Sequence, residues 1–316
     1  MASPRVSVAL CTFNGALYLR DQLASIANQS LAVDEVVVAD DGSSDDTISI
    51  LTEASDRLPI RLLPPQGHLG VAQNFARAMS SSTGHFLLLS DQDDVWHPQR
   101  VAAQVEALEA DPGLLLVHSD ARLIDATGRV LDGSLLDRLR ADQPTRDALM
   151  FGASLAPLLR RNLVTGATVA LRRALVDTAL PIPEPWLHDE WLAMMAAIRG
   201  ASRLLPDQLI DYRLHGLNEV GAHLVTLKVR LDRLSEPRER RNIRLLARAS
   251  TLADRVPDDP TGMVGAKLAH EEVRSQYPRR HLMRLVPILK EAITGRYRQF
   301  GRGADDIVRD IVQPAR

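Results

Sequence analysis

Three carboxylates stand within four residues at Asp91-Gln92-Asp93-Asp94, directly after the apolar run Phe86-Leu87-Leu88-Leu89 and before Val95-Trp96-His97-Pro98. Crowded carboxylates repel one another unless a cation shares the site. A hard divalent ion such as Mg²⁺ or Mn²⁺ takes one or two of them and completes its shell with water and phosphate oxygens. The cluster therefore predicts a metal-diphosphate site, with a solvated acidic turn as the plain alternative. Its place after a buried strand favours the site, because open α/β sheets bind ligands beyond the carboxyl ends of their strands. A second cluster, Asp40-Asp41-Gly42-Ser43, follows the valine-rich run 35–39. A carboxylate there can accept the ring N–H of uracil or thymine, or a ribose hydroxyl. Alone it reads as a turn with a helix cap; paired with the first cluster it reads as half of a nucleotide site.

The elements that must position these groups alternate. Short apolar runs at 6–10, 35–39, 60–63, 86–89 and 114–118 read as strands, and helical spacing appears over 16–28, 71–79 and 101–109. Strand and helix recurring at about 30-residue intervals favour an α/β fold, a mainly parallel sheet with helices on both faces. Ser44 or Asp45 is placed to cap the helix after the second strand. Beyond about residue 130 the alternation weakens: 137–147 is polar and loop-like, 163–171 resembles a strand, and Pro181, Pro183 and Pro185 stiffen the approach to Trp186-Leu187-His188-Asp189-Glu190-Trp191, which opens a helix over 192–198. After Gly221 the chain turns charged and mostly helical, with Leu224, Leu227, Leu231 and Leu234 at helical spacing. The boundary predicted here separates residues 1–221 from a helical C-terminal region, 222–316.

Bulk properties narrow the function. The 316 residues are 45% hydrophobic and 25% charged, with a formal net charge of −2. That balance argues against a general nucleic-acid binder. The lone Cys11 excludes a disulfide framework and fits a reducing compartment. No signal peptide and no spanning helix are visible, so a cytoplasmic protein is expected, with contact at the inner membrane surface left open.

Taken in order, Val6-Ser7-Val8 through Thr12-Phe13-Asn14, then Asp40-Asp41-Gly42-Ser43, Leu69-Gly70, and Asp91-Gln92-Asp93-Asp94 with Trp96 and Pro98, resemble the inverting family 2 glycosyltransferases of the GT-A fold. The resemblance covers roughly residues 4–220. His188-Asp189-Glu190-Trp191-Leu192 and the stretch Tyr212-Arg213-Leu214-His215-Gly216, with Asn218 and Gly221 beyond it, are similar to the rhamnosyltransferase-like branch. The resemblance implies a GT-A (Rossmann-like) sheet, a nucleotide-diphosphate sugar donor, a divalent metal (Mg²⁺ or Mn²⁺), and transfer to an acceptor hydroxyl. It implies contacts of Thr12, Asn14 and Asp41 with the nucleoside, with Asp41 on the base N–H and Asp40 supporting the ribose or the loop. It makes Asp91 and Asp93 the Asp-x-Asp element, with Asp93 the direct metal ligand. It puts Asp94 near the donor sugar, Asp189 in the place of the catalytic base, and His215 at the metal or diphosphate with Asn218 nearby. The branch implies dTDP-L-rhamnose as donor; a UDP-hexose or UDP-N-acetylhexosamine is the alternative. The acceptor expected is a glycan, a glycolipid or a small molecule.

The chemistry asks for such groups in its own right. An acceptor hydroxyl needs a carboxylate to take its proton as it attacks. The departing nucleoside diphosphate gains charge that a cation stabilises. One base and one cation on opposite sides imply a single displacement with inversion. Asp189 stands at a helix start, where a carboxylate also serves as a cap. Glu190 is the rival base, and successive helical residues point about 100° apart, so only one of them faces an acceptor. Trp186 and Trp191 either stack on a sugar or pack in the core. A nucleotide-sugar-binding protein without turnover is the reading from another class; a base at Asp189 beside an intact Asp91-x-Asp93 weighs against it. In the C-terminal region Arg238, Arg240, Arg241, Arg244 and Arg248 cluster with leucines between them. Packing, an anionic membrane surface and a contact between copies in a homo-oligomer are all open for that helix.

Overall fold

A computed structural model describes residues 5–215 and 237–314. Asn218 and the leucines at 224–234 lie outside the described residues. Those described fall into two compact units, one drawn from 5–154, 163–182 and 186–215, the other from 155–162, 183–185 and 237–314.

The first unit is built on a nine-stranded sheet. Its leading half alternates strand and helix: β1 Val6–Thr12, α1 Leu19–Ala27, β2 Glu35–Asp40, α2 Thr47–Ala54, β3 Ile60–Leu62, α3 Val71–Ser81 and β4 Phe86–Ser90. These strands lie parallel in the order β3-β2-β1-β4. Every residue of β2 and β4 is buried. Both faces of such strands are covered by helices, which is why they read as unbroken apolar runs rather than alternating ones.

The second half departs from the alternation. β5 Val95–Trp96, α4 Arg100–Ala110, β6 Leu116–Asp125 and β7 Val130–Ser134 come first. The helices α5 Leu135–Arg138, α6 Gln143–Met150 and α7 Leu155–Arg160 follow, α7 belonging to the second unit. Then come β8 Val169–Arg172, α8 Arg173–Ala179, α9 His188–Ala197 and β9 Ser202–Leu214. β8 runs antiparallel between β4 and β6, and β9 lies parallel to β6, with β5 at its far side. The sheet is thus mixed and mostly parallel. The segment 137–147, expected to be a loop, holds the end of α5 and most of α6. Ser134 and Asp137 form a reciprocal capping box, and Asp142 accepts from the Thr145 N–H, so local side chains satisfy the helix ends that the polar composition concealed. The strand expected over 163–171 begins only at Val169, after a 3₁₀ turn at Gly166–Thr168. β9 escaped the sequence reading because Pro206 and Asp207 interrupt its pattern; they sit where the register against β6 jumps from Leu205 to Gln208, a bulge that spares Pro206 any ladder bond.

The second unit adds α10 Arg238–Arg255, α11 Met263–Ser275, α12 His281–Ile293, α13 Arg296–Phe300 and α14 Ala304–Val312. Its interior is unusually polar. Asp310 is fully buried and meets Arg241, Arg274 (2.9 Å) and the Tyr297 hydroxyl (2.7 Å). Arg238 is buried too and donates to the carbonyls of Arg274 and Tyr277. Arg238 and Arg241 are therefore core cations of this unit, so that side of α10 packs inward rather than onto a membrane.

Candidate active site

The register of the parallel strands brings their carboxyl ends to one edge, with Thr12 beside Asp40 and Leu10 beside Ser90. Loops from β1, β2 and β4 meet there. Asp40 is tied into its own loop: it accepts from the Thr12 hydroxyl (2.7 Å), the Ser43 hydroxyl (2.5 Å) and the N–H groups of Gly42 (3.1 Å) and Ser43 (2.8 Å). Gly42, at φ +93, supplies the turn. Asn14 takes the left-handed conformation, φ 47, and its side-chain oxygen accepts from the Ser44 N–H at 2.8 Å, which joins the first loop to the second. Asp41 reaches to the entrance of α3, accepting from the N–H groups of Leu69 (2.6 Å) and Gly70 (2.9 Å), with His68 Nδ1 at 2.9 Å. His68 thus faces Asp41, and its ring lies 5.2 Å from that of Phe13.

The acidic tetrad divides. Gln92, which reads as a spacer, exchanges two hydrogen bonds with the backbone of Phe13: Phe13 N–H donates to Oε1 (2.8 Å) and Nε2 donates to the Phe13 carbonyl (2.9 Å). Gly15 leaves room for it; a Cβ there would lie 2.2 Å from Gln92 Oε1. Asp93 meets His215 Nε2 at 2.7 Å, while its carbonyl accepts from Arg213 Nε at 2.8 Å. His215 in turn packs its ring 4.8 Å from Tyr18. Asp94, expected near the donor sugar, is buried against β9: Oδ1 accepts from the Arg213 N–H (2.9 Å), and Oδ2 has no hydrogen-bond partner. Asp91 is half-buried, and burial, with the charges of Asp93 and Asp189, pushes its carboxyl up to about 7.

Beneath the tetrad lies a residue that the motifs do not reveal. Arg100, at the start of α4, is fully buried, donates to the carbonyl of Leu89 (3.0 Å), and stacks over Trp96 at 3.8 Å. Burial pulls it down to about 9, against the opposing charges of Asp94 and Asp91. It acts as the counter-charge under the cluster. Arg213 is the second such cation, lying 4.6 Å over the Tyr18 ring. An arginine opening the helix that follows the acidic cluster was the only sequence signal for Arg100.

Asp189 sits in the first turn of α9, nearly buried, where the unpaired N–H groups of the helix favour a carboxylate. Its Oδ1 accepts from the Glu190 N–H (2.7 Å) and its Oδ2 from the Gly166 N–H (3.3 Å). Glu190, the next residue, is half-buried, and the helical step sets it about 100° around the axis from Asp189. Gly166 is required here, since a Cβ would come within 2.6 Å of His188 Nε2. His188 itself stacks on Phe75 with rings 3.9 Å apart, and neither of its ring nitrogens has a hydrogen-bond partner. Trp191 donates to the carbonyl of Ala179 (2.7 Å) and packs with Trp186, both buried. These tryptophans belong to the core, not to a sugar platform.

The edge therefore collects Asp91, Asp93, Asp189 and His215, with Tyr212 buried among them. Burial and the charges of Asp94, Asp91, Asp93 and Asp189 raise its phenol. Among the described residues no three His, Cys, Asp or Glu side chains stand as a metal cage. The expected trio of Asp93, Asp91 and His215 is instead an Asp93–His215 pair, with Asp91 coupled to it through charge repulsion. A Mg²⁺ or Mn²⁺ ion that relies on water and diphosphate for most of its shell needs no more than such a pair. Burial lifts Asp91 most, and the added repulsion from Asp93 and Asp189 is what a cation would relieve, so the donor set fits one.

A family model described as glycosyl transferase family 2 matches residues 7–164, half of the chain. Among curated relatives, an uncharacterized glycosyltransferase of a Nostoc species is 26% identical over 68% of this chain and 66% of its own length. An uncharacterized Mycobacterium tuberculosis protein is 29% identical over 66% of this chain, which spans 59% of that protein. The dTDP-rhamnosyl transferase RfbG of Shigella flexneri is 26% identical over 71% of this chain and 78% of that protein. Two solved structures share the fold. One is Staphylococcus aureus TarS (residues 1–349) in complex with UDP-GlcNAc, at TM-score 0.58 and 16% identity over 97% of this chain and 81% of that one. The other is the mannosyltransferase PcManGT of Pyrobaculum calidifontis with GDP-Man and Mn²⁺, at TM-score 0.56 and 20% identity over 92% of this chain and 76% of that one. With half its length matching the family model and its sheet shared with those structures, this chain belongs to glycosyl transferase family 2 and carries the GT-A fold.

Proposed function

We propose that this protein transfers a sugar from a nucleotide-diphosphate donor to an acceptor hydroxyl, with inversion, and that the sugar is L-rhamnose carried by dTDP. The observation carrying the reaction type is the meeting of the Asp93–His215 pair with Asp189 at one sheet edge, close enough that Asp189 helps to raise Asp91. The relation to RfbG supports the donor.

In this reading the loops of Thr12, Asn14, Asp40 and Asp41 hold the nucleoside. The carboxylate of Asp41, fixed by two backbone N–H groups, is oriented to accept the ring N–H of the base. Asp93, with His215 and the neighbouring Asp91, would hold the divalent ion, which when bound supplies positive charge for the leaving diphosphate. The Mn²⁺ in the PcManGT structure supports that choice. Asp94 keeps the tetrad in place on β9 and thereby sets the floor under the donor sugar. Asp189 takes the proton from the acceptor hydroxyl as the anomeric carbon is attacked from the opposite side. Its near-burial keeps water from competing for that proton, and Gly166 N–H steadies one oxygen. Asn218, expected near His215 as a donor-binding residue, lies outside the described residues. The acceptor is a glycan or glycolipid. Among the described residues no helix is long and apolar enough to cross a membrane.

An Asp189→Asn variant tests the base. It should bind donor with Mn²⁺ as the wild type does and lose transfer by about 10²–10⁴-fold. Full transfer would remove Asp189 from that role. Thermal shifts with Mn²⁺ and dTDP-rhamnose, UDP-hexoses or UDP-N-acetylhexosamines test the donor; a preference for UDP sugars would overturn the rhamnose assignment.

A further inference from the structure

The helix α12 is buried on its charged side and exposed on its apolar side. Arg284, Ile288 and Glu291 face inward. Arg284 donates to the carbonyls of Asp310 and Gln313 (both 2.9 Å), and Glu291 meets His270 at 2.7 Å. Leu282, Met283, Val286, Leu289 and Ile293 are exposed, the outermost, Leu282 and Ile293, to 81% and 85%. At 100° per residue these five occupy an arc of about 120° along a helix about 20 Å long. Lys290 falls within the same arc. Arg279, whose Nε meets Glu239 at 3.0 Å, and Arg280 precede the helix, and Arg298 and Arg302 follow it, all exposed. Between 279 and 302 the only acidic residue is the buried Glu291.

We propose that this face of α12 docks the protein on an anionic lipid surface. A short amphipathic helix with an apolar stripe and a net basic margin lies in the plane of the headgroups. Its leucine, valine and isoleucine side chains sink toward the acyl region while its cations meet lipid phosphates. Lys290 can extend its ammonium from within the stripe to the headgroups. A second copy of the chain fits this face less well. Stripe-to-stripe pairing would set Lys290 and the flanking arginines against their own kind, with no exposed carboxylate in the segment to answer them. Pro287 inside α12 is no obstacle at a lipid surface, where a slight bend costs no interhelical packing.

Sedimentation of the full chain with phosphatidylcholine vesicles, with and without phosphatidylglycerol, tests this. The wild type should pellet with the anionic vesicles, lose most of that binding at raised salt, and ignore the neutral ones. An Arg280→Gln/Lys290→Gln variant should partition roughly 25-fold less, from about fivefold per cation. A Leu282→Ser/Val286→Ser/Ile293→Ser variant should fall to background while keeping its circular dichroism, because all three side chains are exposed. Equal sedimentation with both vesicle types, or undiminished binding of the serine variant, overturns the proposal. So would a concentration-dependent dimer in sedimentation velocity that the serine variant abolishes, which would give the face to a second copy. None of these readouts depends on sugar transfer, so they stand apart from the test of Asp189.

Discussion

His188 offers a stability prediction that can be worked from burial alone. Its ring is buried against Phe75, both nitrogens lack partners, and burial lowers its pKa to about 3 from an ordinary 6.5, with Glu190 opposing only in part. The unfolded chain takes up this proton near pH 6.5, but the folded one only near pH 3. Protonation below 6.5 therefore pulls the equilibrium toward the unfolded state, and stability present at neutral pH is lost as pH falls. From 6.5 down to 5 the loss is 1.5 pH units at 1.36 kcal/mol each, about 2 kcal/mol. A His188→Leu variant removes the titration and the two orphan nitrogens and gives up the ring stacking. At pH 7 it should stay within about 1 kcal/mol of the wild type, the two changes being of similar size and opposite sign. At pH 5 it should have gained about 2 kcal/mol on it. Urea unfolding at both pH values, followed by tryptophan fluorescence, is the assay. All three tryptophans (Trp96, Trp186 and Trp191) lie in the first unit, so the signal reports the unit that carries His188. Other titrations contribute equally to both proteins and cancel in the difference. Parallel losses between pH 7 and 5 would mean that His188 is protonated in the fold, and the burial reasoning would fail.

Further outcomes follow from the same geometry. Gly15→Ala should cost about 1–2 kcal/mol by displacing the Gln92 amide from its two bonds to Phe13, and far less in a Gln92→Ala background; equal costs in both backgrounds, by urea titration, would dismiss that contact. Arg100→Met should destabilise by about 3–5 kcal/mol by leaving Asp91 and Asp94 without their buried counter-charge; a melting temperature unchanged in calorimetry would show that the cluster needs no such partner. Chelation with EDTA should abolish transfer, and added Mn²⁺ should restore it; transfer that persists in EDTA would remove the divalent ion from the reaction.

The parts of this protein legible in its sequence are those whose physics is local. β1, β2 and β4 show themselves as short, mostly apolar runs because both faces of the central sheet are covered. The acidic clusters mark the strand ends because a sheet edge is where ligands and cations can reach. Even Asp189 is placed by a local rule, the affinity of a helix start for a carboxylate. What the tertiary structure decided is which partners the polar groups meet. Asp94 belongs to β9 because Arg213, 119 residues away, donates its N–H there. Gln92 became a brace between two loops because Phe13 lies alongside it. Arg100, Arg238, Arg241 and Arg284 are all buried, while Leu282 and Leu289 of α12 face outward. A buried charge is tolerable only where carboxylates and carbonyls distant in the chain converge on it. That convergence is a property of the packed fold, not of any stretch of residues.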